Sequence, residues 1–212
     1  MLWTPSSLFF TALRRRSKAS NQGSKTLNGY LKSKAIEQKF LTLNEWSRPG
    51  TKLHQLRGIV LHWTANAKKN ALFNWNFFEM RKNGKLGYGS AHFIIDLDGS
   101  ILQLMPLDEV AYHAGPTSQP TKDAKRCLGV WPNGHTIGIE FTHTDWEGTY
   151  TEETWKSGVE LCAALCSEFA LTECDLYTHN FITGKGCPRL FTRHPDKLVQ
   201  FEDEVGMRLF LG

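Results

Sequence analysis

The run LRGIVLHW at residues 56–63 is apolar at consecutive positions rather than alternate ones. A strand with that pattern is covered on both faces, which puts it in the middle of a sheet with other layers packed against it. His62 stands at its C-terminal end, where a polar ring closes an otherwise apolar strand.

The segments around this strand alternate in period. Residues 66–83 read as a helix with Leu72, Trp75, Phe77 and Phe78 on a broad apolar face. SAHFIIDLDGSILQLMP reads as two strands around an Asp98-Gly99 turn, and VAYHAG as a further short strand ending at His113 and Gly115. A polar loop is expected over 116–126, then a strand over 136–142 that carries Glu140. Thr151 is placed to cap a helix that has Glu152 and Glu153 in its first turn. Trp155, Val159, Cys162, Cys166 and Phe169 follow at alternating spacings of four and three, which is one helical face. A glycine-rich loop covers 177–191, and a last helix is expected over 195–209. Interleaved strands and helices with one hairpin predict a single α/β domain, a central mixed β-sheet flanked by helices.

With 212 residues, 41% of them hydrophobic and 22% charged, the chain can bury a sizeable core. The domain is expected over 41–212, behind an N-terminal basic arm and linker over 1–40. In that arm an apolar patch from Leu8 to Leu13 precedes Arg14, Arg15, Arg16 and Lys18. A secretory signal has the opposite order and a longer apolar run, so synthesis in the cytoplasm without a clear signal peptide is expected. No apolar run reaches the 18 residues of a transmembrane candidate. The net charge of +4 favours an anionic partner, a cell-wall polymer or nucleic acid, without choosing one. Five cysteines do not make a complete disulfide framework; Cys162 and Cys166, one helical turn apart, read as reduced and buried.

Three places could carry chemistry. The stretch YTHNFITGKGCPRLF holds His179 and Cys187 eight positions apart, with Gly184 and Gly186 giving the backbone freedom to bring them together. With His62 they could form a His, His, Cys set with an open fourth position, as in catalytic zinc sites; each histidine alone could equally be packed or solvated. Glu140 is the one carboxylate in an apolar strand, which leaves it paired, solvent-facing or functional. Lys185 reads alone as a surface lysine; beside a bound cysteine it could face a developing oxyanion.

Four of these segments, in order, resemble the zinc-dependent N-acetylmuramoyl-L-alanine amidases of the second amidase type. That family spans phage endolysins, bacterial recycling enzymes and autolysins, and animal peptidoglycan recognition proteins. The matching pieces are GIVLHWTA, GSAHFIIDLDGSILQLMPLDEVAYHAG, NGHTIGIEF and THNFITGKGCP, within residues 41–205. The resemblance implies Zn²⁺ held by His62, His179 and Cys187, with Glu140 and Lys185 as catalytic residues and His113 lining the substrate groove. It implies hydrolysis of the amide between N-acetylmuramic acid and the L-alanine of the stem peptide, in the bacterial cell wall. Peptidoglycan or a muropeptide is then the expected partner, no nucleic acid is expected, and a monomer suffices. Two other classes stay open: a non-catalytic muropeptide-binding protein on the same fold, and an amidase that also regulates a protein partner. The sequence departs from the phage-type and recognition-protein pattern at Ala91, where those members carry a tyrosine; the nearest tyrosine is Tyr88. Glu140 is therefore assigned as the partner of the attacking water.

Overall fold

A computed structural model describes residues 36–115 and 119–211; residues 1–35 of the expected arm and linker lie outside them. Six strands form one mixed sheet: β1 (Glu37–Gln38), β2 (Gly58–Trp63), β3 (Phe93–Ile95), β4 (Ile101–Gln103), β5 (Thr136–Phe141) and β6 (Leu176–Thr178). Their order is β1-β4-β3-β5-β2-β6, and β3 with β4 is the antiparallel pair. The consecutive apolar run of β2 lies between β5 and β6, both parallel to it. The sheet also takes in Glu37 and Gln38, just before the expected start of the domain at 41.

One face of the sheet presents Ile59 and Leu61 of β2, Phe93 and Ile95 of β3, and Ile137, Ile139 and Phe141 of β5. Against it pack α3 (Glu152–Phe169) and α6 (Pro195–Leu211). Phe201 of α6 meets Phe141 and Trp155 edge-on, and Trp155 Nε1–H donates to Glu204 Oε2 at 2.8 Å. Thr151 caps α3 by accepting from Thr154 N–H, as its position before two glutamates predicts. All five residues of the 4-3-4-3 face lie in this cluster or pack on it.

The opposite face is split. Ile94, Leu102, Leu104 and Met105 form one cluster with Ala71 of α1 (Ala71–Met80). Val60, Ala124, Leu128 and Ile182 form another, under α2 (Lys122–Leu128) and α4 (His179–Thr183). The short α5 (Arg189–Arg193) joins the last loop to α6. Between the two clusters the sheet carries polar groups. The strand register sets Ile94, Glu140 and His62 side by side in one row, and His92, Gly138 and Val60 in the next.

Four expectations change. The helix expected over 66–83 begins only after Asn70, which accepts from Phe73 N–H, because Ala65 and Lys68 take positive φ. VAYHAG is not a strand among the described residues. Apart from backbone bonds of Val110 N–H to Thr51 O and of Ser90 N–H to Tyr112 O, its backbone is held by side chains: Tyr112 N–H donates to Ser90 Oγ, and His113 and Ala114 N–H donate to Asn133 Oδ1. The polar loop over 116–126 contains α2, capped by Thr121 and anchored by buried Ala124 and Leu128. The glycine-rich loop opens with β6 and α4 before it turns.

Candidate metal centre

The site sits at the C-terminal ends of β2, β5 and β6. His62 and Glu140 are cross-strand neighbours in the β2–β5 register. Leu61 pairs with Thr178 on the other side, so His179 follows next to His62, and the two rings lie 4.8 Å apart. Thr178 caps α4 by accepting from Phe181 N–H, and Gly184, at φ +77, ends it by donating to Asn180 O. The chain then folds back through Lys185 to Cys187. Asn180 closes this loop twice: its N–H donates to Cys187 O at 2.8 Å and its side-chain amide to Lys185 O at 2.7 Å. Nothing in the local sequence separates Asn180 from an ordinary turn residue, and the sequence reading missed it.

The fold thus brings one ligand atom each of His62, His179 and Cys187 within 4.8 Å of one another. Cys187 Sγ is 3.7 Å from His62 Nδ1. His179 Nε2 and Glu140 Oε2 are buried without a hydrogen-bond partner. Orphaned buried polar atoms are rare enough to need a cause, and a cation among them is one. Two imidazoles and a thiol within this span suit Zn²⁺, which binds nitrogen and sulfur donors. Lys185 reaches the same place: a Cβ on Gly115 would lie 3.5 Å from His179 Nε2 and 3.8 Å from Lys185 Nζ, so both groups meet over that glycine.

Burial dominates the electrostatics. It holds His62 well below its ordinary value, with the neighbouring His179, His113 and Lys185 adding to the effect. His179 is lowered to about 4 by burial and then by Lys185. Burial lifts Glu140 to about 8, and it pushes the Cys187 thiol up, with Glu140 adding to it. Without a cation the site is therefore a set of neutral donors beside a protonated carboxyl, and a positive ion would favour the anionic forms of both acids.

His113, expected from the resemblance to line the substrate groove, is buried beside the metal-ligand candidates. It is 6% exposed, seated behind His62 on the flat surface that Gly138 leaves. Tyr88 packs on Trp46 and Tyr112 and bonds Glu45, while Ala91 is fully buried. Two further groups escaped the sequence reading. The buried His92 receives Gly138 N–H on Nδ1 at 3.0 Å and meets Glu109 O with Nε2 at 2.9 Å. The Tyr150 hydroxyl is buried without a hydrogen-bond partner, on a ring stacked against Phe141.

A mixed sheet with these donors at its strand ends has the fold of endolysin amidase catalytic domains. The catalytic domain of XlyA matches 81% of this chain and 99% of its own at a TM-score of 0.61 and 26% identity. PlyL, at 19% identity and a TM-score of 0.63, shares the fold. A family model described as N-acetylmuramoyl-L-alanine amidase matches residues 52–190, and the chain belongs to that family. A Bacillus licheniformis protein named "Probable N-acetylmuramoyl-L-alanine amidase" is 35% identical over 170 residues, 78% of this chain and 46% of its own length. The amidase BlyA of Bacillus subtilis (strain 168) is 31% identical over 176 residues, 80% and 46% of the two chains. The chain thus spans about half the length of the curated relatives it matches. No helix among the described residues is long and apolar enough to cross a membrane.

Proposed function

We propose that residues 41–212 form a peptidoglycan hydrolase that cuts the amide between N-acetylmuramic acid and L-alanine of the stem peptide. The observation that carries this reading is the cross-strand pair of His62 and Glu140 facing the loop that bears His179 and Cys187, with His179 Nε2 and Glu140 Oε2 unsatisfied. His62, His179 and Cys187 would hold Zn²⁺, which when bound polarises the scissile carbonyl and lowers the pKa of water toward ~7.

The chain's own residues do the rest. Glu140 takes a proton from the attacking water and returns it to the leaving amine. Burial lifts this carboxyl to about 8, and a nearby cation would favour its carboxylate form, the form that accepts the proton. Lys185, exposed on a short loop with its ammonium near His179, is free to meet the oxygen on which charge develops. The apolar clusters on both sides keep the base and ligands in low dielectric, which strengthens each of these interactions. The substrate belongs to the bacterial cell wall, so the site of action lies there, for a phage lysin or a bacterial enzyme alike.

Mass spectrometry of purified peptidoglycan digested with the protein, with and without a chelator, tests this reading. The expected products are intact glycan strands and stem peptides with a free L-alanine amino terminus, formed only when metal is available. Binding of muropeptide without such products would identify a binding protein instead.

A further inference from the structure

The ring of His113 has no task in the mechanism above, yet it is nearly enclosed and its contacts are directional. His113 Nδ1 lies 3.1 Å from His62 Nε2. On its other side, His113 Nε2 lies 3.4 Å from Thr136 O and 3.3 Å from Thr136 Oγ1. The Thr136 hydroxyl already donates its hydrogen to Pro132 O at 2.8 Å. Both Thr136 oxygens therefore face His113 as acceptors, and His113 Nε2 must carry the hydrogen. A neutral His113 then offers a lone pair at Nδ1, and His62 must carry its own hydrogen on Nε2 to meet it. That leaves the His62 lone pair on Nδ1, the nitrogen 3.7 Å from Cys187 Sγ. The reverse arrangement would set a lone pair of His113 against two acceptors.

The position of this ring is built as carefully as its tautomer. Asn133 Oδ1 accepts from both His113 N–H and Ala114 N–H, fixing the backbone on either side of the ring. Gly138 gives it a floor: a Cβ there would lie 2.5 Å from His113 Cγ. The Gly138 N–H is held in turn by His92.

We infer that His113 is a positioning residue that fixes the tautomer and ring plane of His62, so that Nδ1 faces the metal. The inference rests on the reading of His62 as a metal ligand. It gives His113 a different part from the lining of a substrate groove: it acts through His62 and not on substrate. Ligating histidines generally donate their second ring N–H to an acceptor, and losing that acceptor costs about 10–100-fold in metal affinity or activity.

The test uses the full chain and two readouts. Long-range ¹H–¹⁵N spectra of the histidine rings in the metal-free wild type at neutral pH should show His62 and His113 both protonated on Nε2. A His62 protonated on Nδ1 would overturn the inference with no variant made. Zinc affinity, measured by competition with a chromogenic chelator, should fall about 10–100-fold in His113→Leu. His113→Asn keeps an acceptor at the place of Nδ1 and should recover most of the loss. Unchanged affinity in His113→Leu, or a folded His113→Asn that binds as poorly as His113→Leu, would overturn it. His62→Ala separates the two levels: wild-type zinc affinity in that variant would remove the ligand assignment itself.

Discussion

Replacing Glu140 by glutamine in the metal-free protein should change how stability depends on pH. Burial alone raises the native carboxyl from 4.5 to about 8, and its Oε2 accepts no hydrogen bond. A folded pKa above the unfolded one means that the native state holds a proton the unfolded chain has released. The stability tied to this proton is complete below 4.5 and is lost as pH rises toward 8, while glutamine does not titrate. Each pH unit inside that window is worth up to about 1.4 kcal/mol, and the slope falls off near both pKa values, so between pH 5 and pH 8 the wild type should lose about 3.5 kcal/mol relative to Glu140→Gln. The buried glutamine amide adds a constant offset that leaves the slope alone. The depressed histidines titrate alike in both proteins and drop out of the difference. Denaturant unfolding of both proteins in chelator at pH 5, 6, 7 and 8 measures it. Added zinc should flatten the wild-type slope, since a cation favours the carboxylate. Parallel curves for the two proteins in chelator would refute a carboxyl held protonated by the burial of its Oε2.

Other consequences can be measured separately. Gly138→Ala drives a methyl to 2.5 Å from the buried His113 ring, so unfolding should show at least the roughly 1–3 kcal/mol of an overpacked core, together with weaker zinc binding. Lys185→Met should lower kcat on soluble muropeptides on the order of 10²-fold while zinc stoichiometry, read by elemental analysis, stays at the wild-type value. His92 is lowered from 6.5 to about 4 by burial. The stability tied to its neutral form is complete above pH 6.5 and should be lost as pH falls toward 4, by about 3 kcal/mol in thermal or denaturant melts. Phe201→Ala empties the contact of α6 with Phe141 and Trp155 and should cost about 3–5 kcal/mol without altering metal affinity.

The sheet was legible where the pattern is local. The apolar runs of β2 and β5, the hairpin turn between β3 and β4, and the capped face of α3 need only their own residues to be read. What was not legible depends on partners far along the chain. β6 is three residues, LYT, and is a strand because β2 pairs with it. The VAYHAG segment looks like a strand, but the N–H groups of Tyr112, His113 and Ala114 go to the side chains of Ser90 and Asn133. α2 is charged enough to read as a loop, and only Ala124 and Leu128 bury it. The same division runs through the site. His62, Glu140, His179 and Cys187 stand out as residue types, but their convergence depends on the β2–β5 and β2–β6 registers, which no single segment encodes. The supports of the site, Asn180 and Asn133, are ordinary turn residues until their amides are seen to close it.

X-ray absorption at the zinc edge of the zinc-loaded protein tests the central assignment most directly. Two histidines and one cysteine predict one sulfur scatterer at about 2.3 Å and two imidazole nitrogens at about 2.0–2.1 Å, with the sulfur lost in Cys187→Ser. A wild-type spectrum of nitrogen and oxygen alone, or a sulfur signal that survives in Cys187→Ser, would contradict it.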